Sequence, residues 1–112
     1  LNQVVFRSGD SVASTSIDPG TMTQDQIRKR IELLLAAAEF RGRGVGILSE
    51  GVQLGNGGGI PAVTITAFIE QLKQYKQPLD IEAVAAEMIY TAGPLKVQLI
   101  ASQSGQVVFR AG

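Results

Sequence analysis

Apolar positions along this chain follow two different rhythms. Near the ends they cluster in short β-branched and aromatic runs, and through the middle they recur at helical spacing. Gln3-Val4-Val5-Phe6-Arg7 predicts a strand. Ser8-Gly9-Asp10 predicts a turn, and Ser11 to Ile17 a returning strand that its serines weaken. Asp18-Pro19-Gly20 breaks the chain, because Pro presets φ and Gly accepts positive φ.

The clearest helix follows. Thr23 is a good N-cap, and Gln26 three residues on completes a capping box. Met22 and Ile27 are spaced for a hydrophobic staple. Ile27, Ile31, Leu34, Leu35 and Ala38 then share one face, and Asp25 and Lys29 form an i,i+4 surface pair. The predicted helix runs from about Gln24 to Phe40, with Gly42 as its stop. A second helix is predicted over 60–76, burying Ile65, Phe68, Ile69 and Leu72; the β-branched run 63–66 makes a strand the competing reading. A third is predicted from an Asp80 cap, with Ile81, Val84, Ala85, Met88 and Ile89 on one face and Gly93-Pro94 at its end. Between the first two lie short β segments at 45–48 and 52–54.

Toward the C-terminus the rhythm becomes alternation. Leu95, Val97 and Leu99 interleave with Lys96 and Gln98, a turn follows over 102–105, and Gln106 to Arg110 returns. No linker divides the chain. The expectation is one α+β domain over 1–112. Its antiparallel or mixed sheet is built largely from N- and C-terminal hairpins and packs against about three helices.

Composition narrows the chemistry. The 112 residues include no Cys and no His, which excludes disulfides, thiolate or imidazole metal sites and any triad built on them. Four Phe, two Tyr and no Trp make the expected core aliphatic. Ten basic residues balance ten acidic ones. That balance speaks against nucleic acid as a partner, since phosphate contacts need a basic excess, and it leaves self-association unopposed. No apolar run is long enough to span a bilayer, so no membrane partner is expected, and no signal peptide is visible. The expectation is a soluble chain, with the cytoplasm the favoured compartment. Its start at Leu1 rather than Met fits a processed or excised product.

Four features bear on function. Gln3-Val4-Val5-Phe6-Arg7-Ser8-Gly9 recurs as Gln106-Val107-Val108-Phe109-Arg110-Ala111-Gly112, identical at six of seven positions. Chance, equivalent strands in a symmetric or swapped dimer, and excision from a longer array are its three readings. The loop Gly55-Asn56-Gly57-Gly58-Gly59 has glycine spacing suited to a phosphate but lacks the Lys and Ser/Thr of a P-loop, and it reads first as a surface loop. Arg41 and Arg43 flank glycines within reach of an anion, though basic groups at a helix end also complement its dipole. Glu50 is the one carboxylate beside the glycine-rich region.

These observations point to a non-catalytic binding or assembly module. It would self-associate as a homo-oligomer through its terminal β segments, at Val4, Val5, Phe6, Val107, Val108 and Phe109, with no cofactor and no metal. The alternative is a small-molecule or anion site, with or without catalysis, at Arg41, Arg43, Glu50, Asn56, Gly57 and Gly58. A further option is a unit of a repeat protein.

Overall fold

Thr23 opens the longest element of the computed structural model, which describes residues 1–55 and 61–111, Pro61 through its backbone alone. Helix α1 spans Gln24–Gly44. The Gln26 N–H donates to Thr23 Oγ1 at 3.1 Å, and the Thr23 N–H donates to Gln26 Oε1 at 2.8 Å, so the capping box forms. Ile27, Ile31, Leu34 and Ala38 are buried along one face, with Leu35 and Met22 packed beside them.

The helix does not stop at Gly42. That residue is buried within the last turn, where a Cβ would stand 3.0 Å from Leu95 Cδ2 and 3.3 Å from Ile47 Cδ1. Its smallness lets other residues close on the helix. The stop comes at Val45 and Gly46, the latter at φ +101°. Gly46 N–H donates to Arg43 O at 3.0 Å and Ile47 N–H to Gly42 O at 2.9 Å, the two bonds of a Schellman ending. Ile47 is thereby turned into the core.

The expected third helix is a strand. Residues Leu79–Ala85 form β4, which lies between β2 (Ser11–Ile17) and β6 (Lys96–Gln103), antiparallel to both. Leu79, Ile81, Ala83 and Ala85 alternate into the core while Asp80 and Glu82 face away from it. The same stretch also carries a helical period, but a position between two strands gives β4 ladder partners on both sides, and that context overrides propensity. Met88 is left 41% exposed rather than buried, and Ile89 lies in a separate strand, β5 (Ile89–Tyr90).

The N-terminal hairpin is likewise absent. β1 (Val4–Phe6) pairs antiparallel with β5 in a two-stranded sheet, while β2 joins the five-stranded sheet. The C-terminal hairpin does form: β6 pairs with β7 (Gln106–Ala111) around the two-residue loop Ser104-Gly105. Beside the start of β6, β3 (Gln53–Leu54) adds a short parallel pairing. The described residues thus hold two helices and seven strands rather than about three helices, in an α+β arrangement dominated by sheet.

Helix α2 (Pro61–Leu72) ends before the expected Lys76, in a turn at Lys73-Gln74. Its β-branched residues 63–66 are helical, and Phe68, Ile69 and Leu72 are buried. These join the inward residues of α1, β4 and β6 in one core cluster on one face of the sheet. The opposite face carries Asp80, Glu82, Gln98 and Ser102, with Val84 and Ile100 buried among them outside that cluster.

Replacing Thr23 with Ala removes a cap worth about 1 kcal/mol, so thermal unfolding should shift down by a few degrees. An unchanged midpoint would mean that the capping box contributes nothing. At Ser104, φ is +51° and is followed by +83° at Gly105, the conformation of a type I′ turn. Asn tolerates that region better, so Ser104→Asn should raise stability by about 0.5 kcal/mol. A lower melting temperature would contradict the turn assignment.

Candidate functional site

Arg41 projects from the last turn of α1 toward the N-terminal strands. Its Nη1 donates to the carbonyls of Ser11 at 3.0 Å and Val12 at 3.2 Å, and its guanidinium carbon sits 5.5 Å from the centre of the Phe6 ring. The contact over the ring is a cation–π interaction. β1 is held further by its neighbours: Gln3 N–H donates to Thr91 Oγ1 at 3.0 Å, and Thr91 N–H donates to Gln3 O at 2.8 Å. Arg41 thus links α1 to two strands.

Arg43 is paired differently. Its Nη2 donates to Glu39 Oε1 at 2.7 Å, and the same oxygen accepts from Gly51 N–H at 3.3 Å. Glu39 therefore ties the end of α1 to the segment holding Glu50, which is itself exposed. The sequence reading passed over Glu39, although its place four residues before Arg43 is the signal for such a pair. Asn56, Gly57 and Gly58 lie outside the described residues. Arg41 and Arg43, one residue apart in sequence, serve separate structural contacts.

The terminal β segments divide as well. Phe6 is 4% exposed, and Val5 is half-buried against the core. Val4 remains 42% exposed opposite Tyr90. Phe109 packs on Phe68 (centroids 5.1 Å apart) and Tyr75 (5.5 Å), and Val108 lies partly buried against the core. Val107 is 48% exposed. The two copies of the repeated heptapeptide do not pair with each other: one lies on β5, the other on β6.

The edges of the larger sheet are unequal. At the β2 edge, Arg30 Nη1 donates to Ser16 O at 2.5 Å and Arg41 serves Ser11 and Val12, so arginines of α1 occupy carbonyls at both ends of the strand. β7 pairs with β6 on one side, and no strand among the described residues pairs on its other side. No helix among the described residues is long and apolar enough to cross a membrane.

These features define a small α+β domain whose sheet, among the described residues, is guarded at the β2 edge and has no further strand on β7. The chain belongs to the family described as "DUF3084-associated C-terminal helical hairpin", which matches residues 6–112. In this chain the matched residues hold two helices in contact, with Arg28 Nη2 donating to Thr66 Oγ1 at 3.1 Å, together with the whole five-stranded sheet. The chain is also 44% identical over 107 residues to "Uncharacterized protein alr4393" of Nostoc sp. (strain PCC 7120 / SAG 25.82 / UTEX 2576). That match covers 96% of this chain and 20% of the relative, so the chain spans about a fifth of the relative's length. No solved structure matches.

Replacing Arg41 with Gln removes the ring contact and the charge-assisted bonds to β2. The expected cost is about 1–2 kcal/mol, with faster amide exchange in β1 than in β4. Unchanged denaturant midpoints together with unchanged β1 protection would show that Arg41 does not hold the strand.

Proposed function

We propose that the chain is a non-catalytic assembly domain that self-associates through the β7 edge of its sheet. The observation that carries this reading is the contrast between the two edges. An unpaired edge exposes backbone donors and acceptors that another strand can use. At β2 the Arg30 and Arg41 side chains already take carbonyls. Among the described residues β7 instead has no strand on its other side, and Val107 is exposed on its surface, while Phe109 anchors the strand inward against Phe68 and Tyr75. A second copy adding its own β7 would extend the sheet without unfolding either partner. The neutral net charge adds no long-range repulsion. Of the terminal residues expected at the interface, the reading rests on Val107 and its strand rather than on β1, which is engaged with β5.

Light scattering at micromolar concentration should give a mass above the 11.8 kDa of one chain. Val107→Lys places a charge on the open edge strand and should return the chain to the monomer mass with its circular dichroism unchanged. A wild-type mass of one chain that does not vary with concentration would reject the proposal.

A further inference from the structure

The face of α1 turned away from the core carries a second apolar stripe. Leu33 is 54% exposed and Phe40 81% exposed, seven residues apart with Ala36 between them. Counted as a heptad from Gln26, positions a are Gln26, Leu33 and Phe40, and positions d are Lys29, Ala36 and Arg43. The residues that face the sheet fall at other positions, so the stripe lies apart from the buried face of the helix.

Two shallow clefts on this face are lined, wholly or in part, by residues at the positions that form coiled-coil holes. One, of about 260 Å³, is lined by Ala36, Glu39, Phe40 and Arg43, the d, g, a and d set that receives an a-position knob. The other, of about 490 Å³, includes Gln26, Lys29, Arg30 and Leu33, the a, d, e and a set that receives a d-position knob.

Charge selects the occupant. The g positions Asp25, Glu32 and Glu39 are all acidic, while position e near the start of the helix is Arg30. Among the described residues the ion pairs are Arg43–Glu39 and Lys96–Glu87; Asp25 and Glu32 have no ionic partner among them, and Arg30, whose Nη1 donates to Ser16 O, has no carboxylate partner there. An antiparallel helix would set this acidic flank against its own copy. A parallel, in-register helix sets each g residue opposite the partner's e residue five positions on, so Asp25 meets the second copy's Arg30, twice by symmetry.

From this layout we infer that the outer face of α1 is a docking surface for α1 of a second copy, parallel and in register, with Phe40 of each chain seated in the other's 36–39–40–43 hole. The contact is short. Lys29 and Arg43 at d face their own counterparts and confine the dry seam to about two turns, and so small an interface is weak and transient. It is also independent of the β7 edge, so the domain offers two separate surfaces for assembly.

The absence of cysteine makes the test clean. Phe40→Cys and Leu48→Cys each place one thiol at a site of equal 81% exposure, but only the first lies on the stripe. Under mild oxidation, Phe40→Cys should form disulfide dimers at least about tenfold faster than Leu48→Cys, because the seam holds the two thiols close. Leu33→Cys should likewise link to itself in preference to Phe40→Cys when the two variants are mixed. Adding Val107→Lys should leave these rates unchanged. Equal rates at 40 and 48 would overturn the inference, and preferential 33–40 cross-links would overturn the parallel orientation. Loss of cross-linking with Val107→Lys would assign the association to β7 alone.

Discussion

The antiparallel ladder between β4 and β6 is the constraint on which the other parts depend. Six registered positions, from Asp80 opposite Ser102 to Ala85 opposite Val97, align one apolar row with another. Leu79, Ile81, Ala83 and Ala85 on one strand and Val97, Leu99 and Ala101 on the other present a single buried face. Each large aliphatic side chain there contributes roughly 1.5–3 kcal/mol of burial. A slip of one residue would turn the apolar row of one strand to the face opposite its partner's, so the register admits little error. Both helices pack on this face, and β2 and β7 are positioned by pairing with the outer sides of the two strands.

Polar contacts do a different job. None of the described hydrophobic core contains a buried charged side chain, and the arginines work at the periphery. Arg28 bridges the two helices, Arg30 and Arg41 take backbone carbonyls of β2, and Arg43 joins Glu39 in fastening the residues after α1. A guanidinium suits this work because its donors are arranged in a rigid fork. Four arginines of one helix therefore settle where neighbouring segments lie, and two of them, Arg30 and Arg41, take carbonyls along the β2 edge of the sheet. The outer face of the same helix keeps its exposed Leu33 and Phe40, so α1 contributes to the inside of the domain and to a surface suited to a partner.

Local signals were legible wherever one short stretch carried its own explanation. The start of α1 at Thr23, the helical spacing of Phe68, Ile69 and Leu72 in α2 and the tight turn between β6 and β7 are all patterns carried within a few residues. The region 79–89 reads as a helix in sequence and folds as strands because its apolar residues satisfy two periods at once. Likewise Gly42 looks like a terminator in sequence, whereas the contacts that require a glycine there come from Ile47 and Leu95. Arg41 and Arg43 looked alike in sequence, yet one reaches β2 and Phe6 while the other turns to Glu39.

The near-identity of residues 3–9 and 106–112 shows the division most plainly. From the sequence alone it follows that both segments are β-prone, with Phe as the largest side chain to be buried, because that preference resides in the residues themselves. Tertiary structure decided that one segment lies on β5 with its Phe under Arg41, while the other lies on β6 with its Phe against Phe68 and Tyr75. A strand carries its alternation within its own residues, but its ladder hydrogen bonds are all made with another strand, and the choice of that strand is made by the packing of the whole core.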